Sequence, residues 1–467
     1  MRGFMPWRKD YERMSRPLLP GIALASLLLV SIPAAAVAGV SLQEAAALKT
    51  VLTPLGAERA GNADGTIPAW QGGITAPPPD LGWKGPGSPY PDPYGSDPVL
   101  LSITAAQVEP YARNLSPGQR ALLAKYPGTY RMEVYPSHRS QAALQWVYDS
   151  TFENATRAQE TAGGDGLKLA YGGIPFPIPK NGAQVIWNHL LRWQAPGARR
   201  RADTFVMDSS GGLYPVVEVE AWHRSPYYLN NESVEGFSDD YSEVLYEYIY
   251  PPDWKGTILL ANDRFDQEGS TRRAYLYEVG QRRVRPYVNY IYDSPDRQLG
   301  GVVGVDDQYM FNGPIDRFDW TLVGKQELYI PYDCYKADWG ISPREIFAAG
   351  HVNPAYVRWE LHRTWVVEGV RRKGKAHMYA RRVFYVDEDS WNIVLADVYD
   401  AQGALWRTSV ALTINAYDLP GVVQRLTVHH DLPAGRYVSF KPEVTVFGKV
   451  KPDSFFTPEQ VRGMGRR

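Results

Sequence analysis

A β-dominated α+β fold, one large curved antiparallel sheet wrapped over helices, is predicted by three features of this chain. The hydrophobic period changes from about 3.6 residues to 2 near Thr204 and stays short to about Val450. The last strand-like runs are joined by connections of four to seven residues, which oblige neighbours to run antiparallel. Tyr, Trp and Phe number 31, 14 and 14 and make up 13% of the residues, and such side chains favour half-buried strands.

The first element is an apolar run from Gly21 to Ala38 that closes on Ala36-Val37-Ala38. It reads as a cleaved signal peptide spanning 1–38, which sends the mature chain to the periplasm. Asp10 and Glu12 are foreign to a basic leader, so translation is expected to start at Met14 rather than Met1. No Cys follows the run, so no lipid anchor is expected, and no second apolar stretch of about 18 residues suggests a membrane span.

Residues 39–100 form a wrapping segment. Ser41 followed by Glu44 is a capping box for a helix over 41–48. The Pro/Gly tract from Ala76 to Pro98 excludes helix and central strand and predicts extended chain lying on a surface. Residues 101–200 are read as helical cover: two short helices over 104–125 broken at Ser116-Pro117, one over 141–159, and one over 183–193. In the last, Val185, Ile186, Leu190 and Trp193 share a face. Residues 201–467 carry the sheet, and 101–467 are expected to be one structural domain. Its clearest part is a meander of Ala380 to Val386, Trp391 to Tyr399, Ala404 to Ile414 and Val422 to His430.

Removing residues 1–38 takes away five basic and two acidic side chains and leaves 45 Lys and Arg against 49 Asp and Glu, a net charge of −4. Nucleic acid is therefore excluded as a partner, because phosphate binding needs a basic excess. The single cysteine, Cys334, rules out an intrachain disulfide and reads as a small buried side chain.

Catalytic patterns fail one by one. There is no G-x-S-x-G, no phosphate-binding glycine loop and no HExxH. His429 and His430 are adjacent on a strand and point to opposite faces, and His223, His351, His362 and His377 are dispersed, so no metal or other cofactor is expected. Asp387-Glu388-Asp389 lacks the glycine and distal glutamate of a calcium loop and reads as a solvated hairpin tip. Asp306-Asp307 reads as a turn or strand-end hydrogen-bonding pair in a Gly-rich connection, with a ligand-facing role as the alternative. The expectation is that the protein is not an enzyme.

Strand alternation leaves two candidate binding features. Tyr246, Tyr248 and Tyr250, with Tyr275 and Tyr277, are read as the lining of a hydrophobic cavity. Arg282, Arg283 and Arg285 follow that aromatic ribbon and suit an anionic headgroup or an acidic partner surface, because Arg grips carboxylate and phosphate through paired hydrogen bonds.

Four segments carry a family resemblance: Thr53 to Trp70, Tyr171 to Lys180 with Trp187 to Trp193, Gly280 to Arg285, and Asp387 to Trp391. Together they resemble the Gram-negative secreted family called domain of unknown function 1329, which is distantly similar to the periplasmic lipoprotein carriers LolA and LolB. The resemblance implies an incomplete barrel closing over helices, with an apolar hollow for acyl chains. It also implies partners at the envelope, an outer-membrane channel-like protein and an inner-membrane exporter of the resistance-nodulation-division type. The expected function is a periplasmic carrier or chaperone for a lipid or other hydrophobic molecule. A ligand-free adaptor of an outer-membrane or efflux-type envelope complex is the alternative.

Overall fold

Two meanders are joined side by side through the last strand of the chain. The computed structural model describes residues 39–161, 164–237, 239–265, 272–295, 299–338 and 340–465. The expected signal peptide and the start at Met14 lie outside the described residues. Among the described residues, fifteen strands share one sheet. Two short early strands, β1 (Leu101–Ile103) and β2 (Met132–Val134), form one edge.

The first meander is β3 (Gly197–Met207), β4 (Leu213–Arg224), β5 (Asp240–Tyr250), β6 (Ile258–Arg264), β7 (Arg272–Glu278) and β8 (Arg283–Pro286). The second is β9 (Phe318–Pro331), β10 (Trp359–Arg371), β11 (Arg381–Asp387), β12 (Ile393–Tyr399), β13 (Leu405–Ala416), β14 (Gly421–Asp431) and β15 (Arg436–Phe447). Strand β15 then returns to pair with β3, so within each meander chain neighbours are sheet neighbours, and the chain leaves the sheet between β8 and β9. All pairings are antiparallel save one contact, where β2 lies parallel to β10 at Val134 and Trp359.

The helices form close to where the sequence places them. Ser41 and Glu44 cap each other's backbone as a reciprocal box, and the helical turn Leu42–Ala45 continues as a tighter turn to Lys49. Ser116 and Gln119 do the same for α1 (Pro117–Lys125), with Pro117 at the position where its missing N–H costs nothing. Helix α2 covers Gln145–Arg157, α3 covers Gly182–Leu190 with Asn181 as its cap, and α4 covers Pro458–Met464.

The second meander is covered on both faces. Leu122 and Leu123 of α1 cluster with Leu395, Val410 and Leu412 on one side. Val147 of α2 and Val185 and Ile186 of α3 cluster with Val367, Phe384 and Ala411 on the other. Burial on both faces explains why β11 and β12 are nearly continuous apolar runs rather than alternating ones. Helices α2 and α3 thus fill the inner face over β9 to β14. Trp187 of α3 also reaches Tyr241 at the start of β5, whereas the inner face around Val217, Val219 and Tyr248 is covered by Leu299, Val302 and Val303 of the connection that follows β8.

Candidate functional site

On the inner face, directly paired residues fix which side chains look inward. Thr204 faces Val217, Ala202 faces Val219, Val219 faces Tyr248, and Ala221 faces Tyr246. Small side chains on β3 and β4 leave room that the larger Tyr246, Tyr248 and Phe440 wall in, and Leu299 and Tyr309 of the connection close it from above. The result is a mainly apolar cavity of about 120 Å³. Burial raises the ionisation of Tyr246 well above the usual phenol range, with Tyr309 and Tyr290 adding to the effect, so the ring is neutral at any working pH.

One wall of this cavity is basic. Arg200, on the inner side of β3, donates from Nη1 to the Tyr309 hydroxyl at 2.5 Å, and its buried Nε has no partner. Arg192, just after α3, donates from Nη1 to the His189 carbonyl at 2.7 Å. Both guanidiniums lie over the Tyr309 ring, at 5.8 Å for Arg192 and 5.6 Å for Arg200. The outward neighbours behave differently: Arg199 pairs with Glu220 and Arg201 with Glu218 across the strands. Among the described residues, neither Arg192 nor Arg200 has a carboxylate within salt-bridge distance.

Helix α3 positions this wall. The Ile393 N–H donates to His189 Nδ1 at 3.1 Å, so Nε2 carries the proton and donates to the carbonyls of Tyr309 and Phe311, each at 3.1 Å. Burial, reinforced by Arg192, keeps His189 neutral by lowering its pKa well below the usual value. Tyr309 itself sits in the left-handed region at φ 52, a conformation non-glycine residues rarely hold without such restraint.

The connection is anchored at a second point. Arg382, 1% exposed, donates to Asp306 at 2.7 Å and to Asp307 at 2.8 Å, and lies against the rings of Phe311, Phe318, Tyr379 and Phe384. His377 Nε2 is 3.0 Å from the Asp306 carboxylate, and the Tyr379 hydroxyl donates to Asp307 at 2.7 Å. Burial opposes ionisation of Asp306, but Arg382 and His377 outweigh it and hold its pKa below the ordinary carboxylate range. Asp306-Asp307 thus has the hydrogen-bonding role expected of it, as a buried charged anchor.

The five tyrosines are divided by register. Tyr246 and Tyr248 line the cavity, whereas Tyr250 ends β5 and is 38% exposed. Leu259 faces Leu276, which puts Leu276 on the inner side and turns Tyr275 and Tyr277 to the opposite face. There they pack with Leu260, Phe456 and Val461 beneath α4. Arg282 and Arg283 stand exposed on the β7–β8 hairpin, and Arg285 pairs with Glu278 at 2.9 Å; none of the three lines the cavity. For Arg200 the sequence offers the run Arg199-Arg200-Arg201, which pairs with Trp222, Ala221 and Glu220 and in which only the outward arginines find acids, Glu220 and Glu218; Arg192 has no such signal.

The hairpin tip Asp387-Glu388-Asp389 requires a correction, since it is buried rather than solvated. Arg139 grips Asp389 with two hydrogen bonds at 2.8 and 2.7 Å and reaches the Glu58 carbonyl at 2.8 Å, while Arg363 and Lys325 hold Glu388. Trp391 donates to the Leu55 carbonyl at 2.9 Å, so this tip fastens the N-terminal wrap to the sheet. His362, Asp387 and Asp389 bring ligand-type atoms within 4.8 Å of one another, but both Asp389 oxygens already accept from Arg139. Burial opposes protonation of His362, and Glu360 and Asp387 overcome it and raise its pKa. Cys334 is buried, and burial pushes its thiol up, away from the reactive thiolate. His429 bonds Ser409 at 2.9 Å, and His430 packs on Tyr437 from the other side of β14.

A wider cleft of about 410 Å³ lies on the opposite face between β5, β7 and the C-terminal segment. Its two arginines are paired within it, Arg224 to Glu243 and Asp453 and Arg273 to Asp240, and with Glu232 its lining carries more acid than base.

Residues 102–462 match the family described as "Protein of unknown function (DUF1329)". The chain belongs to the DUF1329 family. It is 38% identical over 457 residues to the uncharacterized protein PA3922 of Pseudomonas aeruginosa, an alignment that covers 96% of this chain and 98% of that relative. Among solved structures it is similar to a DUF1329 family protein from Desulfovibrio piger, with 14% identity, TM-score 0.40, and coverage of 57% of this chain and 92% of that one. It is also similar to a putative outer membrane lipoprotein-sorting protein domain from Vibrio parahaemolyticus, with 12% identity, TM-score 0.41, and coverage of 60% and 98%. For a LolA superfamily protein from Nitrosomonas europaea the identity is 10%, the TM-score 0.37 and the coverage 60% and 100%. No helix among the described residues of this DUF1329 protein is long and apolar enough to cross a membrane.

Proposed function

We propose that this DUF1329 protein is a non-enzymatic periplasmic carrier that shelters part of a lipid or other hydrophobic molecule in transit through the envelope. The observation that carries this reading is the apolar cavity between β3, β4 and β5 and the connection above them. Its volume is comparable to that of a dry engineered cavity that binds benzene, so a ring or a short stretch of acyl chain fits inside. At about 0.8 kcal/mol per buried methylene, four carbons contribute about 3 kcal/mol before ordering costs, a level suited to reversible loading. An outer-membrane channel-like protein and an inner-membrane exporter of the resistance-nodulation-division type are the proposed partners in delivery.

The filling of the inner face by α2 and α3 favours a second reading, an adaptor with no cargo. Gentle purification followed by solvent extraction and mass spectrometry separates the two, together with uptake of the neutral single-ring probe toluene, followed by calorimetry. The carrier reading expects bound lipid or saturable probe uptake, and loss of uptake in Ala221→Phe, which intrudes on the cavity at about 1 to 3 kcal/mol of stability. Protein that carries no lipid and takes up no probe overturns it.

A further inference from the structure

The basic wall is the unexplained part of the cavity. Buried charges in proteins are normally paired, because removing an ion from water costs several kcal/mol unless an opposite charge compensates. This chain obeys that rule elsewhere: the buried guanidiniums of Arg224, Arg272, Arg382 and Arg425 each have a carboxylate partner. Arg192 and Arg200, partly buried, have none among the described residues, although they share one aromatic ring, their positive charges repel and the Arg200 Nε is buried without a partner. Burial, with Arg200 adding to it, pulls Arg192 down to about 10, which still leaves it charged at neutral pH.

Neighbouring groups do not supply the missing negative charge. His223 is held neutral by burial and by the two arginines, at about 3, and His189 is neutral as described. Arg425, which also borders this wall, has its charge compensated by Asp338 at 2.7 Å, although its buried Nη2 has no partner. Gln424 donates to the Tyr309 and Ile393 carbonyls. A second, smaller hollow of about 40 Å³ lies against Arg192 and shares Arg200, Tyr309 and Gln424 with the apolar cavity. The two hollows therefore meet at Arg200 and Arg425, and Arg192 faces only the smaller one.

We infer that Arg192 and Arg200 form a headgroup subsite, and that the cargo is a single-chain anionic amphiphile whose tail enters the apolar cavity and whose carboxylate or phosphate monoester sits between the two guanidiniums. The inference rests on the carrier reading and adds the charge of its cargo. Guanidinium forks bind such anions through paired, charge-assisted hydrogen bonds. Tyr309, whose hydroxyl oxygen accepts from Arg200, directs its own proton to the same anion. The exposed Arg282 and Arg283 play no part.

The test is calorimetric titration of the mature chain at pH 7.5 with decanoate, decyl phosphate and decanol. The anions are expected to bind at least about tenfold more tightly than decanol, and the tighter of the two anions assigns the headgroup. Arg200→Gln and Arg192→Gln, checked for folding by thermal melts, are expected to reduce decanoate to the level of decanol while changing decanol binding less than about twofold. Arg282→Ala with Arg283→Ala is expected to leave all three titrations unchanged. Equal binding of decanoate and decanol by the wild-type chain overturns the headgroup subsite and leaves the carrier reading standing, as does a preference that survives both interior substitutions. Absence of binding by all three probes overturns both.

Discussion

Replacing Arg382 by Met tests whether the connection over the cavity is held by charge or merely by packing. The side chain is 1% exposed and compensates two buried carboxylates at 2.7 and 2.8 Å, so the substitution strands both Asp306 and Asp307 in an apolar surrounding. Breaking a buried pair from one side typically costs about 3 to 5 kcal/mol. With an unfolding entropy of about 2.1 cal/mol/K per residue over roughly 430 residues, that corresponds to a fall in Tm of about 3 to 6 °C. The neighbouring Arg381 is the control, since it is one-third exposed, pairs with Glu368 at 2.9 Å and stacks on Tyr399, and its loss should cost about 1 kcal/mol. The triple variant Arg382→Met, Asp306→Asn, Asp307→Asn should recover much of the loss, because no unpaired charge remains. Urea unfolding and calorimetric melts measure both quantities. If Arg382→Met is no more destabilising than Arg381→Met, the reasoning about the anchor is wrong.

Two further outcomes follow from buried charge. Asp397 accepts from the Gly118 N–H at 3.2 Å and Thr408 at 2.9 Å, yet burial raises its pKa to about 6. The folded chain therefore binds this proton more tightly than the unfolded one, and the associated stability is present in full below about pH 4 and lost as pH rises through about 6. Relative to wild type, Asp397→Asn should gain about 3 kcal/mol between pH 4 and 7.5 in urea unfolding, and a pH-independent difference refutes the account. Arg139→Met should cost about 3 to 5 kcal/mol and accelerate proteolysis within residues 53–70, because Asp389 and the Glu58 carbonyl lose their shared donor; unchanged cleavage would show that the wrap is held elsewhere.

What the sequence by itself determined is what short-range chemistry dictates. Ser41 with Glu44 starts a helix because cap and helix lie within four residues, Ser116-Pro117 marks a helix boundary for the same local reason, and the connections after β11, β12 and β13 are too short for anything but hairpins. The aromatic alternation of β5 was likewise visible, because period 2 is a property of one strand. Which face looks inward was not: the register between β6 and β7 sends Leu276 to the cavity side and Tyr275 and Tyr277 beneath α4, and a single residue of slip would reverse them. The acids of 387–389 look solvated in a string of letters and are buried only because Arg139 and Arg363 arrive from distant positions. Only the tertiary structure distinguishes Arg200 from Arg199 and Arg201, since an arginine's meaning depends on whether an acid stands opposite it. That is decided by the pairing of β3 with β4 and by the connection that lays Tyr309 over the unpartnered one.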